Sequence, residues 1–169
     1  MLHSYLLYGL LVWGNSTSLL LKTTAKLQKR AIRYINKASY NSHTEPLFKQ
    51  SNILKLEDQY RYEALLFMYN YYIHKIPHSF MGVFKQNYEI QNTQVTRQSN
   101  LLHIPRCSSN FAKSLPFFNF PLIWNSWSSD LIKLSSTSVV KKFVKSKIML
   151  SYSEVILCRN KFILLYINK

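Results

Sequence analysis

Residues 20–37, LLKTTAKLQKRAIRYINK, constrain this chain more than any other stretch. At about 100° per residue, Lys22, Lys26, Lys29, Arg30, Arg33 and Lys37 fall within an arc of roughly 100°. Leu20, Leu21, Ala25, Leu27, Ala31, Ile32, Tyr34 and Ile35 lie on the other side, and no acid stands in the basic arc. The spacing predicts a helix over residues 17–38, capped by Ser16 or Thr17 through a bond to a free N–H. One side of such a helix is built to pack. The other either meets a negative partner or stands as a solvated face.

The rest of the chain favours the negative partner. Lys plus Arg number 22 against 7 Asp plus Glu, a formal charge of +15 over 169 residues. That excess repels itself in a compact fold unless a polyanion is near. Nucleic acid is the commonest polyanion, and an anionic membrane surface is the second. Twelve Tyr and ten Phe offer rings on which bases can stack, although most will fill the core.

Several classes drop out. Three Gly leave no Gly-rich phosphate loop. Cys107 and Cys158 stand far apart, with no metal-ligand spacing, and read as free thiols of a reducing compartment. The apolar start, Tyr5–Trp13, lacks a basic leader and a cleavage site and is too short to span a bilayer. The apolar tail is broken by Glu154, Arg159, Asn160 and Lys161. An intracellular protein, cytoplasmic or nuclear, is expected, without a signal peptide or transmembrane helix. The seven acids form no facing pair, since the adjacent Glu57 and Asp58 do not share a helix face. His74 and His78 have i, i+4 spacing, but Pro77 interrupts it. No catalytic group, metal site, cofactor or small-molecule substrate is expected.

Along the chain the pattern is mainly α. A short helix is expected over Leu2–Val12, closed by Gly14-Asn15, and another over Glu45–Gln50 with Pro46 in its first turn. A long one is expected over Lys55–His74, with Glu57 and Asp58 at its positive end and a stripe of Leu65, Met68, Tyr69, Tyr72 and Ile73. Helical periodicity fades over 85–120, where LLHIP and SLPFF read as short strands, a small β-hairpin or irregular chain. Short helices follow at Pro121–Asn125 and Ser128–Leu134. A last one over Ser135–Leu150 turns Val139, Val140, Phe143 and Ile148 inward. It gathers Lys141, Lys142, Lys145 and Lys147 into a second basic cluster.

The order of short motifs adds an origin. LLYGLLVWGN at 6–15 precedes KLQKRAIRYI at 26–35 and HTEPLFKQSNILKLEDQY at 43–60. TRQSNLLHIPRCSSNFAKS at 96–114, PLIWNSWSSDLI at 121–132 and FVKSKIMLSY at 143–152 complete the series. The ordered set resembles the carboxyl-terminal part of the reverse transcriptase, an RNA-directed DNA polymerase, of non-LTR, LINE-type, jockey-like retrotransposons. Two departures stand out: Phe120 replaces the Gly usual before Pro121, and Trp127-Ser128 follow Ser126 where the family has Leu-Pro.

The resemblance implies a thumb-like helical bundle over 1–84, an irregular linker or hairpin over 85–120, a helical segment over 121–152 and an unmatched tail over 153–169. It implies that the palm, with its aspartate cluster and Mg ions, lies upstream, that Met1 is an internal Met of a longer frame, and that the missing palm is a partner. This chain then lacks polymerase activity. It grips a template–primer duplex, RNA–DNA or DNA, by phosphates through Lys22, Lys26, Lys29, Arg30, Arg33 and Lys37. Two alternatives stay open: a functionless structural relic of a transposable element, and a basic amphipathic membrane-surface binder, the weaker of the two.

Overall fold

The structure is a computed structural model that describes residues 2–16, 18–91 and 98–167, with backbone alone for 2, 3, 18, 91 and 153–167. The described residues are mainly α-helical and contain no strand. The chain opens with α1 (Leu2–Leu7), α2 (Leu10–Trp13), α3 (Ser18–Ile35), α4 (Thr44–Gln50) and α5 (Leu56–Tyr72). After a 3₁₀ turn at His78–Phe80 come α6 (Asn87–Gln91), α7 (Asn110–Ser114), α8 (Pro116–Asn125), α9 (Ser128–Leu131) and α10 (Thr137–Ile167). No helix among the described residues is long and apolar enough to cross a membrane.

Helix α5 is the hub. Tyr60, Ala64, Leu65, Met68 and Tyr69 are buried along it, and α2, α8 and α10 pack on it. Helix α10 supplies the row Val140, Val144, Ile148 and Tyr152, all buried. Their spacing of four follows one helix face. Of the residues expected to point inward, Val139 is exposed, whereas Phe143 is partly buried and packs against the core. Tyr152 ties α10 to the start of α5. Its hydroxyl donates to Asp58 Oδ2 at 2.6 Å and accepts the Lys55 amide at 3.1 Å. Burial, and then the bond to Asp58, raises its pKa well above the ordinary tyrosine value. Tyr60, buried on the same hub, has no hydrogen-bond partner for its hydroxyl among the described residues, and burial pushes its pKa up to about 12.

The motif residues turn out to carry architecture. Gly9 sits at φ +63°, where a side chain is strained, and there the expected single helix over Leu2–Val12 divides into α1 and α2. A Cβ on Gly14 would lie 2.4 Å from the Leu10 carbonyl and 2.6 Å from the Tyr60 ring, so only glycine lets α2 seat on α5. Asn125 donates to the Leu102 carbonyl at 2.8 Å and accepts the Leu102 amide at 3.0 Å. Trp124 and Pro121 beside it are buried.

Region 85–120 departs from its expectation in part. SLPFF is not a strand: Leu115 is extended at ψ 150°, as a residue before proline must be, and Pro116 then opens α8. LLHIP makes one antiparallel bridge, Gln86 to Leu102, flanked by a bond from the His103 amide to the Lys85 carbonyl at 2.8 Å. Residues 92–97 between them lie outside the described residues. The last helix does not stop at Leu150: no Gly or Pro follows, and the backbone continues helical to Ile167.

Three helices end alike without glycine. Lys37, Asn52 and His74 adopt φ of +50°, +53° and +56°. In each case the next amide reaches back across the last turn, as in Ala38 to Arg33 at 2.9 Å, Ile53 to Phe48 at 3.0 Å and Lys75 to Asn70 at 2.8 Å. This is the Schellman closure, which normally uses glycine for its lack of Cβ strain.

Candidate nucleic-acid interface

Residues 18–35 form a helix because Leu, Lys, Ala, Gln and Arg dominate them and neither Gly nor Pro interrupts. Of the two expected caps, Thr17 lies outside the described residues. What aims the helix is a polar residue that periodicity places nowhere. Gln28 is buried, donates to the Leu54 carbonyl at 3.0 Å and accepts the Leu56 amide at 3.0 Å. Asn36 adds a bond to Ser51 Oγ at 2.9 Å. Together they lock α3 to the turn between α4 and α5.

That lock decides which faces are free. The inward face is Leu21, Ala25, Gln28 and Ile32, of which Gln28 and Ile32 are buried. The expectation that the whole apolar side packs is corrected here. Leu20, Leu27, Tyr34 and Ile35 are exposed, and Ala31 is half-buried. The principal neighbour of α3 is α4, only seven residues long, and so short a helix covers a narrow strip.

The basic arc points outward. Lys22, Lys26, Lys29 and Arg30 are exposed, and Lys37 is exposed just beyond the helix end. Among the described residues no carboxylate lies within ion-pair distance of any of these five. Arg33 differs. It is half-buried, its Nε donates to the Ser42 carbonyl at 2.9 Å, and its guanidinium lies 5.8 Å over the Tyr40 ring. Arg33 therefore braces the helix end as well as adding charge. From Lys22 to Arg33 the row spans about 16 Å at ~1.5 Å per residue. That is about five base pairs of duplex at ~3.4 Å each.

Four of the acids are committed elsewhere. Glu45 holds Lys55 at 3.0 Å, Glu63 accepts from Gln59 at 2.9 Å, and Asp58 holds Tyr152. Asp130 takes Lys147 at 2.6 Å, and that ammonium also sits 4.6 Å over the Trp127 ring. The bond from Lys147 holds the Asp130 carboxyl below its ordinary pKa. The second basic cluster thus loses Lys147 to a local partner. Lys141 and Lys142 remain exposed and Lys145 is half-buried.

Among the described residues, no group of three or more His, Cys, Asp or Glu side chains is gathered as metal ligands. His74 closes α5 in the left-handed region and His78 begins the 3₁₀ turn, so the two share no helix face. A cavity of about 330 Å³ beside α5 and α8 is lined by Tyr71, Tyr72, Phe84, Trp124, His74 and Glu89. The Tyr71 hydroxyl there serves the backbone of Phe84, accepting its amide at 3.2 Å and donating to its carbonyl at 3.0 Å. The arrangement of α3 can attract and hold phosphates. Comparison with protein-family models, with curated proteins and with solved structures finds no match for this chain.

Proposed function

We propose that this chain is the thumb and following segment of a non-LTR retrotransposon reverse transcriptase without its palm. Its remaining function is to bind nucleic-acid duplex through phosphates, independently of sequence. The observation that carries the reading is the α3 face, where Lys22, Lys26, Lys29, Arg30 and Lys37 stand exposed with no carboxylate among the described residues to answer them. A surface of unpaired cations in a chain of charge +15 gains most by releasing the counterions of a polyanion. The ordered motifs support the origin.

The reading assigns the chain no polymerase chemistry. Two-metal transfer needs clustered carboxylates. The chain has two aspartates, one bound to Tyr152 and the other to Lys147.

A second reading has its own observation. Tyr5, Tyr8, Val12, Leu20, Leu27 and Tyr34 are all more than half exposed. Apolar surface left bare by a missing neighbour marks a structural relic, whose behaviour would be self-association rather than binding.

One titration separates these. The purified chain is measured against DNA duplex, RNA–DNA hybrid and phosphatidylserine vesicles from about 50 to 200 mM salt. Both duplexes should bind alike, with a log–log slope near −3 if about three or four side chains reach phosphates. Vesicle binding without duplex binding, or salt-independent aggregation without either, would contradict the proposal.

A further inference from the structure

We infer that the cavity between α5, α8 and the Gln86–Leu102 bridge is a binding site for a quaternary ammonium group. The inference stands apart from the duplex-binding reading, since none of the α3 cations lines this cavity.

Its volume, about 330 Å³, is that of a small-molecule site. Tyr71, Tyr72, Phe84 and Trp124 bring four aromatic rings to its wall, and Glu89 brings a carboxylate. The rings do not stack in parallel. Tyr71 and Phe84 meet edge to face, with centroids 5.1 Å apart at 83°, and Tyr72 tilts by 35° against Trp124 at 5.9 Å. Rings set at such angles can wall a space on several sides, where a parallel stack would close it.

The charge of the wall decides what enters. The chain carries 22 Lys and Arg, yet none among the described residues lines the cavity. One of only seven acids does. The Glu89 carboxylate has no ion-pair or hydrogen-bond partner among the described residues. Aromatic faces carry partial negative charge and attract a cation within about 6 Å of the ring. Rings and carboxylate therefore both favour a cation and disfavour an anion. The positive charge of the more distant surface is screened beyond about 8 Å at physiological salt.

The choice among cations follows from the apolar floor. Met68, Leu102 and Trp124 are buried there. A primary ammonium or a guanidinium would give up strong hydration of its N–H donors to walls that return few hydrogen bonds. A quaternary ammonium has no N–H to leave unpaired, and its methyl groups gain the apolar contact.

The walls are also fixed in place. The Tyr71 hydroxyl, bonded to both the amide and the carbonyl of Phe84, pins that wall to α5. Asn125 at the end of α8 holds both backbone groups of Leu102. The bond from the His103 amide to the Lys85 carbonyl ties the two segments to each other. A ligand then orders little that is not already ordered.

The test is calorimetric titration of the purified chain with choline, with 3,3-dimethyl-1-butanol and with a short peptide carrying trimethyl-lysine. The butanol has the shape of choline with carbon in place of the charged nitrogen. Choline and the peptide should bind, and the butanol at least about tenfold more weakly. Tyr72 and Glu89 are exposed, so Tyr72→Leu and Glu89→Gln should leave the circular dichroism unchanged. Tyr72→Leu should weaken both ammonium ligands about tenfold and Glu89→Gln about threefold, whereas Tyr72→Phe should keep them. Duplex binding should not move in any of the three, so the site and the α3 reading fail or stand separately. Tighter binding of the peptide than of choline would place the ammonium on a protein, and the reverse would make it a free small molecule; the site stands in either case. Equal binding of choline and the butanol, binding that neither Tyr72→Leu nor Glu89→Gln weakens, or no binding of either ammonium ligand would overturn it.

Discussion

Helices α3 and α10 carry the two basic clusters of the chain, yet the fold treats them in opposite ways. Helix α10 buries a full row, Val140, Val144, Ile148 and Tyr152, and gives Lys147 a local carboxylate in Asp130. Helix α3 buries only a strip, takes its hold from the Gln28 amide, and leaves Lys22, Lys26, Lys29 and Arg30, with Lys37 just beyond its end, without a carboxylate partner among the described residues. One helix is held by its apolar row and the other is placed by a clamp. The lesson is that net charge does not locate an interface. Each acid withdraws a nearby cation from service, as Asp130 does Lys147, while Lys141, Lys142 and Lys145 keep no carboxylate partner among the described residues.

The contrast in packing should give the largest effects. Ile148→Ala on α10 removes a buried side chain and should cost about 3 kcal/mol of stability. Leu27→Ala on α3 should cost under about 0.5 kcal/mol, because the side chain is already exposed. Urea unfolding followed by circular dichroism measures both. Equal losses would mean that α3 packs as fully as α10.

The clamps come next. Gln28→Leu leaves the Leu54 carbonyl and the Leu56 amide buried and unpaired, at about 2 kcal/mol. Tyr152→Phe removes the bonds to Asp58 and to the Lys55 amide, at about 1.5 kcal/mol. Thermal denaturation of each variant reads the difference. A neutral Gln28→Leu would show that the amide does not set the aim of α3.

How much of this could be read in the sequence follows from the same comparison. The helical character of 18–35, 56–72 and the region from 137 was legible, because the 3.6-residue period there is strong and prolines are absent inside. The basic face was legible as well, and the fold brings its residues to one side. The inward face of α3 was not. Hydropathy assigns packing to Leu20, Leu27, Tyr34 and Ile35, whereas the short α4 covers only the strip through Gln28 and Ile32. A buried glutamine reads as a surface residue until its two backbone partners are known. Arg33 has the same ambiguity, since Ser42 and Tyr40 approach it only after the chain has turned. SLPFF misled because a residue before proline is extended whether a strand or a helix follows.

Smaller effects sharpen the site itself. Lys37 closes α3 at φ +50°, a conformation that strains every residue with a Cβ. Lys37→Gly should raise stability by about 0.5–1 kcal/mol while weakening duplex binding. A drop in stability would mean that the side chain makes an interaction worth more than the strain. A gain in duplex affinity would remove Lys37 from the interface.

The smallest effect concerns the Asp130–Lys147 pair. The folded pKa of Asp130 is lowered, so its contribution is present above the ordinary aspartate pKa. It is lost as the pH falls through that value and then through the lowered folded one. Asp130→Asn should therefore match the wild-type chain in acid and fall slightly below it at neutral pH. The pair is exposed, so the difference should be slight. A larger gap in acid than at neutral pH would reverse the sign and the assignment.

The most direct measurement sets the two helices against each other on duplex DNA. The salt slope of binding is determined for the wild-type chain, for Lys26→Gln/Lys29→Gln/Arg30→Gln on α3, and for Lys141→Gln/Lys142→Gln/Lys145→Gln on α10. Every phosphate that a variant no longer neutralises should flatten the slope by about 0.9. The α3 variant should therefore lose about two to three units of a slope near −3, and the α10 variant less than about half a unit. An α10 variant that flattens the slope as much as the α3 variant, or an α3 variant that leaves it unchanged, would contradict the account.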